Sequence, residues 1–187
     1  MKALLINGSP RHNGNTSAAL GELAATLSQH GIDTQTIHIG QQPVQGCVAC
    51  AMCGRTGRCT FRDEPYYRIL RALKDGIDAV VIASPVYYGG PNGSLCALLD
   101  RVFYSLAHLL RHKPAASIAV CRRSGATTTL ARLNNYFQSA SMPIASSSHL
   151  SVIHAHTTGQ ALQDSDGIDN LRQLAHELAW MMTSLKP

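Results

Sequence analysis

The chain has 187 residues, 45% of them hydrophobic and 14% charged, with 16 Lys and Arg against 11 Asp and Glu for a formal net charge of +5. This is enough for one well-buried domain spanning 1–187, and too little to expect two. No run approaches the roughly 20 apolar residues of a membrane span, the opening MKALLING enters a glycine turn without a signal-peptide core, and the basic residues are scattered, which argues for a cytoplasmic protein with a small anionic ligand and against membrane or nucleic-acid partners.

KALLI (2–6) reads as the first strand and runs into NGSPRHNGNT (7–16), after which Leu20, Leu23, Ala24 and Leu27 mark a helical face. DTQTIHI (33–39) is the second strand, followed by the cysteine-rich GCVACAMCGRTGRCTFRDE (46–64). Pro65 fits the first turn of a helix carrying Tyr66, Ile69, Leu70 and Leu73. DAVVIAS (78–84) and ASIAVC (116–121) are continuous apolar strands, as a sheet covered on both faces requires, and Leu95, Leu98, Leu99, Val102, Phe103 and Leu106 form a helix between them. A weaker strand, LSVIHA (150–155), precedes a final helix with Ile168, Leu171, Leu174, Leu178, Met182 and Leu185 on one stripe, Trp180 off it, and Asp164, Ser165 and Asp166 as caps. The alternation predicts an α/β fold, an open five-stranded parallel sheet with helices on both faces in three layers.

In such a sheet ligands bind beyond the C-terminal strand ends, so the loops at 7–16, 84–93 and 122–128 carry the chemistry. The first is a glycine-rich turn feeding a helix N-terminus, where backbone N–H groups, Ser9, Asn15, Thr16 and Ser17 can donate to an anion and Arg11 can add charge. It lacks the spacing and lysine of a P-loop and the glycine pattern of a dinucleotide fingerprint. The second, SPVYYGGPNGS (84–94), sets Tyr87 and Tyr88 before Gly89 and Gly90, so that backbone can approach a flat ring while an aromatic face covers it. Together they imply a phosphorylated aromatic cofactor, for which FMN is the economical choice.

GSPRHNGNT, SPVYYGG and the LLDR of 98–101 resemble the flavodoxin-like NAD(P)H-dependent FMN reductase family over essentially the whole chain. The resemblance implies a flavodoxin-like fold, with Ser9, Arg11, Asn15, Thr16 and Ser17 on the FMN phosphate and Pro85, Val86, Tyr87, Tyr88 and Gly89 along the ribityl chain and ring. Ser124 and Gly125 would face the flavin too, although CRRSGAT (121–127) puts Arg122 and Arg123 where the family has small residues. Those arginines could tune the flavin, bind the phosphate of NADPH, or be solvated charges.

Cys47, Cys50, Cys53 and Cys59 form C-x2-C-x2-C-x5-C. Such crowding in a reducing compartment points to metal or redox chemistry, and three thiolates so spaced can wrap one corner of a cubane cluster that the fourth closes. The pattern departs from the bacterial ferredoxin run, having five residues before the fourth cysteine and Thr60 after it. It resembles the compact motif of archaeal-type iron-sulfur flavoproteins, whose acidic pair Asp63 and Glu64 resemble. A 4Fe–4S cluster, free or redox-active thiols, and a tetrahedral zinc site are the three alternatives. Cys96 and Cys121 read as buried hydrophobes, and the pairs His108/His112 and His154/His156 as packing or surface residues. No hydrolase elbow is present.

The function implied is hydride transfer from NADH or NADPH to bound FMN and onward delivery of electrons to a quinone, flavin or other acceptor. No protein acid or base is required, so none is nominated. The alternatives are an iron-sulfur flavoprotein exchanging single electrons with a ferredoxin-like partner, and a flavin carrier without turnover. The resemblance also implies a homodimer or homotetramer.

Overall fold

The computed structural model describes residues 1–185. Strands β1 (Lys2–Asn7), β2 (Asp33–His38), β3 (Ala79–Tyr87), β5 (Ala115–Cys121) and β6 (Val152–His154) form a parallel sheet in the order β2-β1-β3-β5-β6, and β4 (Gly90–Pro91) folds back antiparallel on the end of β3. Among the described residues there are thus six strands where the sequence predicts five, in the same flavodoxin-like fold. The extra strand exists because β3 does not stop at Ser84. Pro85 has no amide hydrogen, yet it keeps register with Val120 of β5, and the chain turns only after Tyr87.

Alternation along the strands divides the core in two. Leu4, Ile6, Val80 and Ile82 face α3 (Glu64–Lys74), α4 (Gly93–Leu110) and α5 (Ala126–Ser139), whereas Leu5, Val81, Ala83 and Ile118 face α1 (Asn15–Gln29) and α6 (Ser165–Ser184). Because both faces are covered, β1, β3 and β5 bury almost every side chain, which is why their sequences read as unbroken apolar runs. Helix α5 is absent from the predicted set. Its opening ATTTL carries β-branched threonines of weak helix propensity, and its apolar period, Leu130, Leu133 and Phe137, begins only afterwards. The other short elements are α2 (Cys53–Thr56), a single turn inside the cysteine segment, and a 3-10 turn over Gln160–Gln163.

Asp164 caps α6, accepting from the Gly167 amide at 3.1 Å, and Trp180 projects into solvent. Among the described residues no helix is long and apolar enough to cross a membrane. Strand order reverses between β1 and its two neighbours, so a crevice opens beyond the C-terminal ends of β1 and β3.

Candidate functional site

The loop after β1 is held from inside. Asn7, buried at the strand end, accepts from the Ser9 amide at 3.0 Å through Oδ1 and donates from Nδ2 to Ser17 Oγ at 2.9 Å. Ser9 Oγ accepts from the Arg11 amide at 3.1 Å, and Ser17 Oγ donates to the His12 carbonyl. Gly8 lies so close to its neighbours that a Cβ there would collide with Leu95 Cδ2 and come within 2.9 Å of the Ala83 carbonyl oxygen. Asn15 ties the loop to the far side of the crevice, donating to the Thr157 carbonyl and accepting from the Gly159 and Ala161 amides. Helix α1 starts behind Gly14 with no side-chain cap and no acidic residue in its first turn. Its leading N–H groups and positive dipole end therefore face the crevice.

The opposite wall is the end of β3. Ser84 Oγ accepts from the Asn92 amide at 3.0 Å and pins the β3–β4 hairpin, whose turn places Tyr88 at φ +50° and Gly89 at φ +79°. Thr128 donates to the Gly89 carbonyl, and Gly125, at φ +84°, packs so closely that a Cβ there would approach Gly89 Cα to 2.8 Å. Between the walls lies a cleft of about 230 Å³. Ser9, Arg11, Asn15, Thr16, Pro85, Val86 and Tyr87 line it, as do Gly14, Val120, Arg122, Ala155, His156 and Thr158. Among the described residues the lining has two arginines and no carboxylate, and it ranges from hydroxyls and amides at the α1 end to apolar Val86 and Val120. Those properties fit a phosphorylated planar molecule such as FMN.

Five of the residues singled out from sequence do not line the cleft. Ser17 turns inward to Asn7 and His12, Tyr88 projects fully into solvent, Gly125 packs closely on Gly89 of the hairpin, and Ser124 is exposed. Conversely Val120, Ala155, His156 and Thr158 were not anticipated. The signal was available, since all four lie at or beyond the C-terminal ends of β5 and β6.

The cysteine segment lies against α3 and α4. Cys47, Cys50, Cys53 and Cys59 all line one small cavity of about 20 Å³, together with Phe61 and Arg101. All four thiols are free, and Cys47 and Cys50 are exposed. Among the described residues no three His, Cys, Asp or Glu side chains converge on a single ion. Four cysteine thiols are the donor set that a cubane cluster takes, and all four of this segment line the one cavity. Asp63 sits at the N-cap of α3 but makes no capping bond; it grips Arg101 through two hydrogen bonds of 2.5 and 2.6 Å. Burial would lower the Arg101 pKa, but the Asp63 carboxylate raises it further still and keeps the guanidinium charged. Ser105 donates to the Arg101 carbonyl at 2.6 Å, so Tyr66 Oη, 2.6 Å from Ser105 Oγ, donates to it while accepting from the Cys59 amide at 2.8 Å. Burial pushes that phenol up, as it does the thiols of Cys96 and Cys121. Glu64 stays at the surface with Arg71.

His108 and His112 line separate hollows, while His154 approaches Asp164 and His156 lines the cleft. The role of the LLDR segment could not be read from composition. Asp100 accepts from Tyr136 of α5 at 2.5 Å, and Arg101 closes the cysteine cavity.

An iron-sulfur flavoprotein of Methanocaldococcus jannaschii is 29% identical over 194 residues, covering 100% of both chains. One of Methanosarcina thermophila is 28% identical over 185 residues, covering 95% of this chain and 93% of its own. Among solved structures, the flavoenzyme NAD(P)H:(acceptor) oxidoreductase of Paracoccus denitrificans superposes with a TM-score of 0.72 at 18% identity, over 98% of this chain and 97% of that one. A family model described as NADPH-dependent FMN reductase matches residues 1–157. With the crevice at the β1/β3 switch point and the uncapped α1 behind GSPRHNGNT, that match identifies the chain as a member of the NADPH-dependent FMN reductase family, a flavin oxidoreductase.

Proposed function

We propose that this oxidoreductase binds FMN in the cleft between the 7–16 loop and the end of β3, takes reducing equivalents from NAD(P)H, and passes single electrons out through an iron–sulfur cluster held by Cys47, Cys50, Cys53 and Cys59. The observation that carries this reading is the gathering of all four cysteines of C-x2-C-x2-C-x5-C around one cavity. Relatives that match all or nearly all of the chain are iron-sulfur flavoproteins, which supports it.

Bound FMN supplies two-electron acceptance at N5 and one-electron release. The protein's own part is positional. Arg11, Thr16 and the leading amides of α1 bind the phosphate; Val86, Val120 and Tyr87 shelter the ring; Arg122 brings positive charge to the same cleft. Large apolar side chains left in solvent, Tyr88 and Trp180 among them, support assembly as a homodimer or homotetramer.

The test is protein purified without oxygen and assayed on one sample for flavin, iron and acid-labile sulfide. We expect one FMN and about four irons per chain, as a cubane requires, and Cys50→Ala should lose the iron while keeping the flavin. Iron-free protein whose flavin bands are bleached by NAD(P)H would instead be a simple FMN reductase with a thiol-rich loop.

A further inference from the structure

Arg101 is the largest side chain buried to less than 2% exposure, and it sits on α4 among Leu98, Leu99 and Val102. An isolated guanidinium there would be costly, and an apolar residue would pack as well. Asp63 explains part of its retention, taking Nη1 and Nη2. Two further facts point to the cysteines. Nη1 also donates to Cys59 Sγ at 3.9 Å, and Arg101 forms part of the wall of the four-cysteine cavity. Its Nε is buried without a partner among the described residues, so the guanidinium is not saturated by the protein around it.

Resting on the reading that these cysteines hold a cluster, we propose that Arg101 sets the reduction potential of that centre, as an N–H···S donor and buried positive charge on the Cys59 side, and that Asp63 limits the effect by holding and partly neutralising it. Reduction adds one electron to the centre and breaks no bond. The reduced form carries one more negative charge, so a nearby cation and a hydrogen bond to sulfur favour it and raise the potential. Low local polarity strengthens both contributions.

The assignment makes a prediction about sign that a scaffold role does not. In anaerobically purified holoprotein titrated against redox mediators and followed by electron paramagnetic resonance, Arg101→Met should lower the cluster potential. The ratio of reduced to oxidised cluster at fixed potential should fall at least tenfold, or about 59 mV for a one-electron couple. Asp63→Asn, which frees the positive charge, should raise it, and Arg101→Lys should fall between Arg101→Met and wild type. The flavin couple should stay in place, because Arg101 does not line the flavin cleft. If Arg101→Met fails to fold, the opposite signs expected of Arg101→Lys and Asp63→Asn still decide the matter. Iron-loaded variants that leave the potential unchanged, or shift it in one common direction, overturn the role of Arg101 while leaving the cluster standing. Wild-type protein without iron overturns the cluster and this role with it.

Discussion

The loop after β1 and the segment after β2 leave adjacent parallel strands and are built in opposite ways. In the first, Asn7, Ser9 and Thr16 are buried, and side chains satisfy backbone groups within the loop and across to Thr157. In the second, Val48, Cys47 and Cys50 are exposed, Ala49 and Ala51 hold positive φ of 52° and 56°, and the regular structure is one turn, Cys53–Thr56. One site is finished by protein hydrogen bonds before any ligand arrives. The other holds Ala49 and Ala51 in a left-handed conformation, at about 1–2 kcal/mol each, between cysteines that line one cavity. Such strain is what the proposed cluster would have to offset.

The sharpest way to break this comparison is to remove ligand contacts from the finished loop. Arg11→Ala with Thr16→Ala takes away the two side-chain contacts proposed for the phosphate, each worth about 1.5–3 kcal/mol when the acceptor is charged. Flavin affinity should fall at least about a hundredfold with the circular dichroism spectrum and melting temperature of the flavin-free protein unchanged. A double variant that keeps stoichiometric flavin would remove the phosphate from this end of the cleft.

Next in size is a contrast between glycines. At Gly8 a methyl group would meet Leu95 and the Ala83 carbonyl, and that carbonyl belongs to a central strand and cannot yield. Gly8→Ala should therefore cost about 1–3 kcal/mol, roughly 2–4 °C of melting temperature per kcal/mol in a chain of this size. At Gly54, within the single turn of the cysteine segment, a Cβ meets nothing within 4 Å. Gly54→Ala should stay within about 0.5 kcal/mol of wild type. Equal effects at the two sites would mean that the cysteine segment is packed as tightly as the flavin loop.

The same contrast explains what could be read from sequence. A buried parallel strand writes itself as a run of apolar residues, so β1, β3 and β5 were legible, as was the anion-binding character of NGSPRHNGNT. Burial is a bulk property that local composition reports. Pro85 concealed the last part of β3, since proline usually ends a strand, and the threonines of α5 concealed a helix whose stability comes from Leu133 and Phe137 packing on the sheet. Within the cleft, Arg11 and Tyr87 announce themselves by chemistry, while Ala155 and Thr158 contribute only by standing where β6 ends. Ser17 is the reverse case. It has the right chemistry at the right position, yet its hydroxyl is spent on Asn7 and His12. Arg101 stands in the sequence only as part of the LLDR string, and nothing local reveals that α4 turns it toward Asp63 and Cys59.

The smallest effect tests the joint between the two regions. His38, the last residue of β2, stacks on His12 of the flavin loop with ring centroids 4.0 Å apart and planes 18° from parallel. The Gly40 amide donates to His38 Nδ1 at 3.0 Å, which leaves the proton of the neutral ring on Nε2, where it is buried without a hydrogen bond of normal geometry. Burial first, then the positive charges of His12 and Arg68, lower the pKa of His38 below its ordinary 6.5; the Arg11 backbone lies close enough to oppose them, but does not prevail. A histidine lowered on folding binds its proton less readily in the folded chain than in the unfolded one. Stability from this group is therefore full above about pH 6.5 and is lost as the pH falls from there toward the lower folded value. Melting temperature should decline through that window, and His38→Asn, which cannot titrate, should show a shallower decline at unchanged ionic strength. Because the protonated ring would press on His12, flavin should dissociate more readily from wild type over the same window and less so from the variant. Equal slopes in both proteins would detach His38 from the acid response, and the two regions would then meet without an electrostatic coupling through this pair.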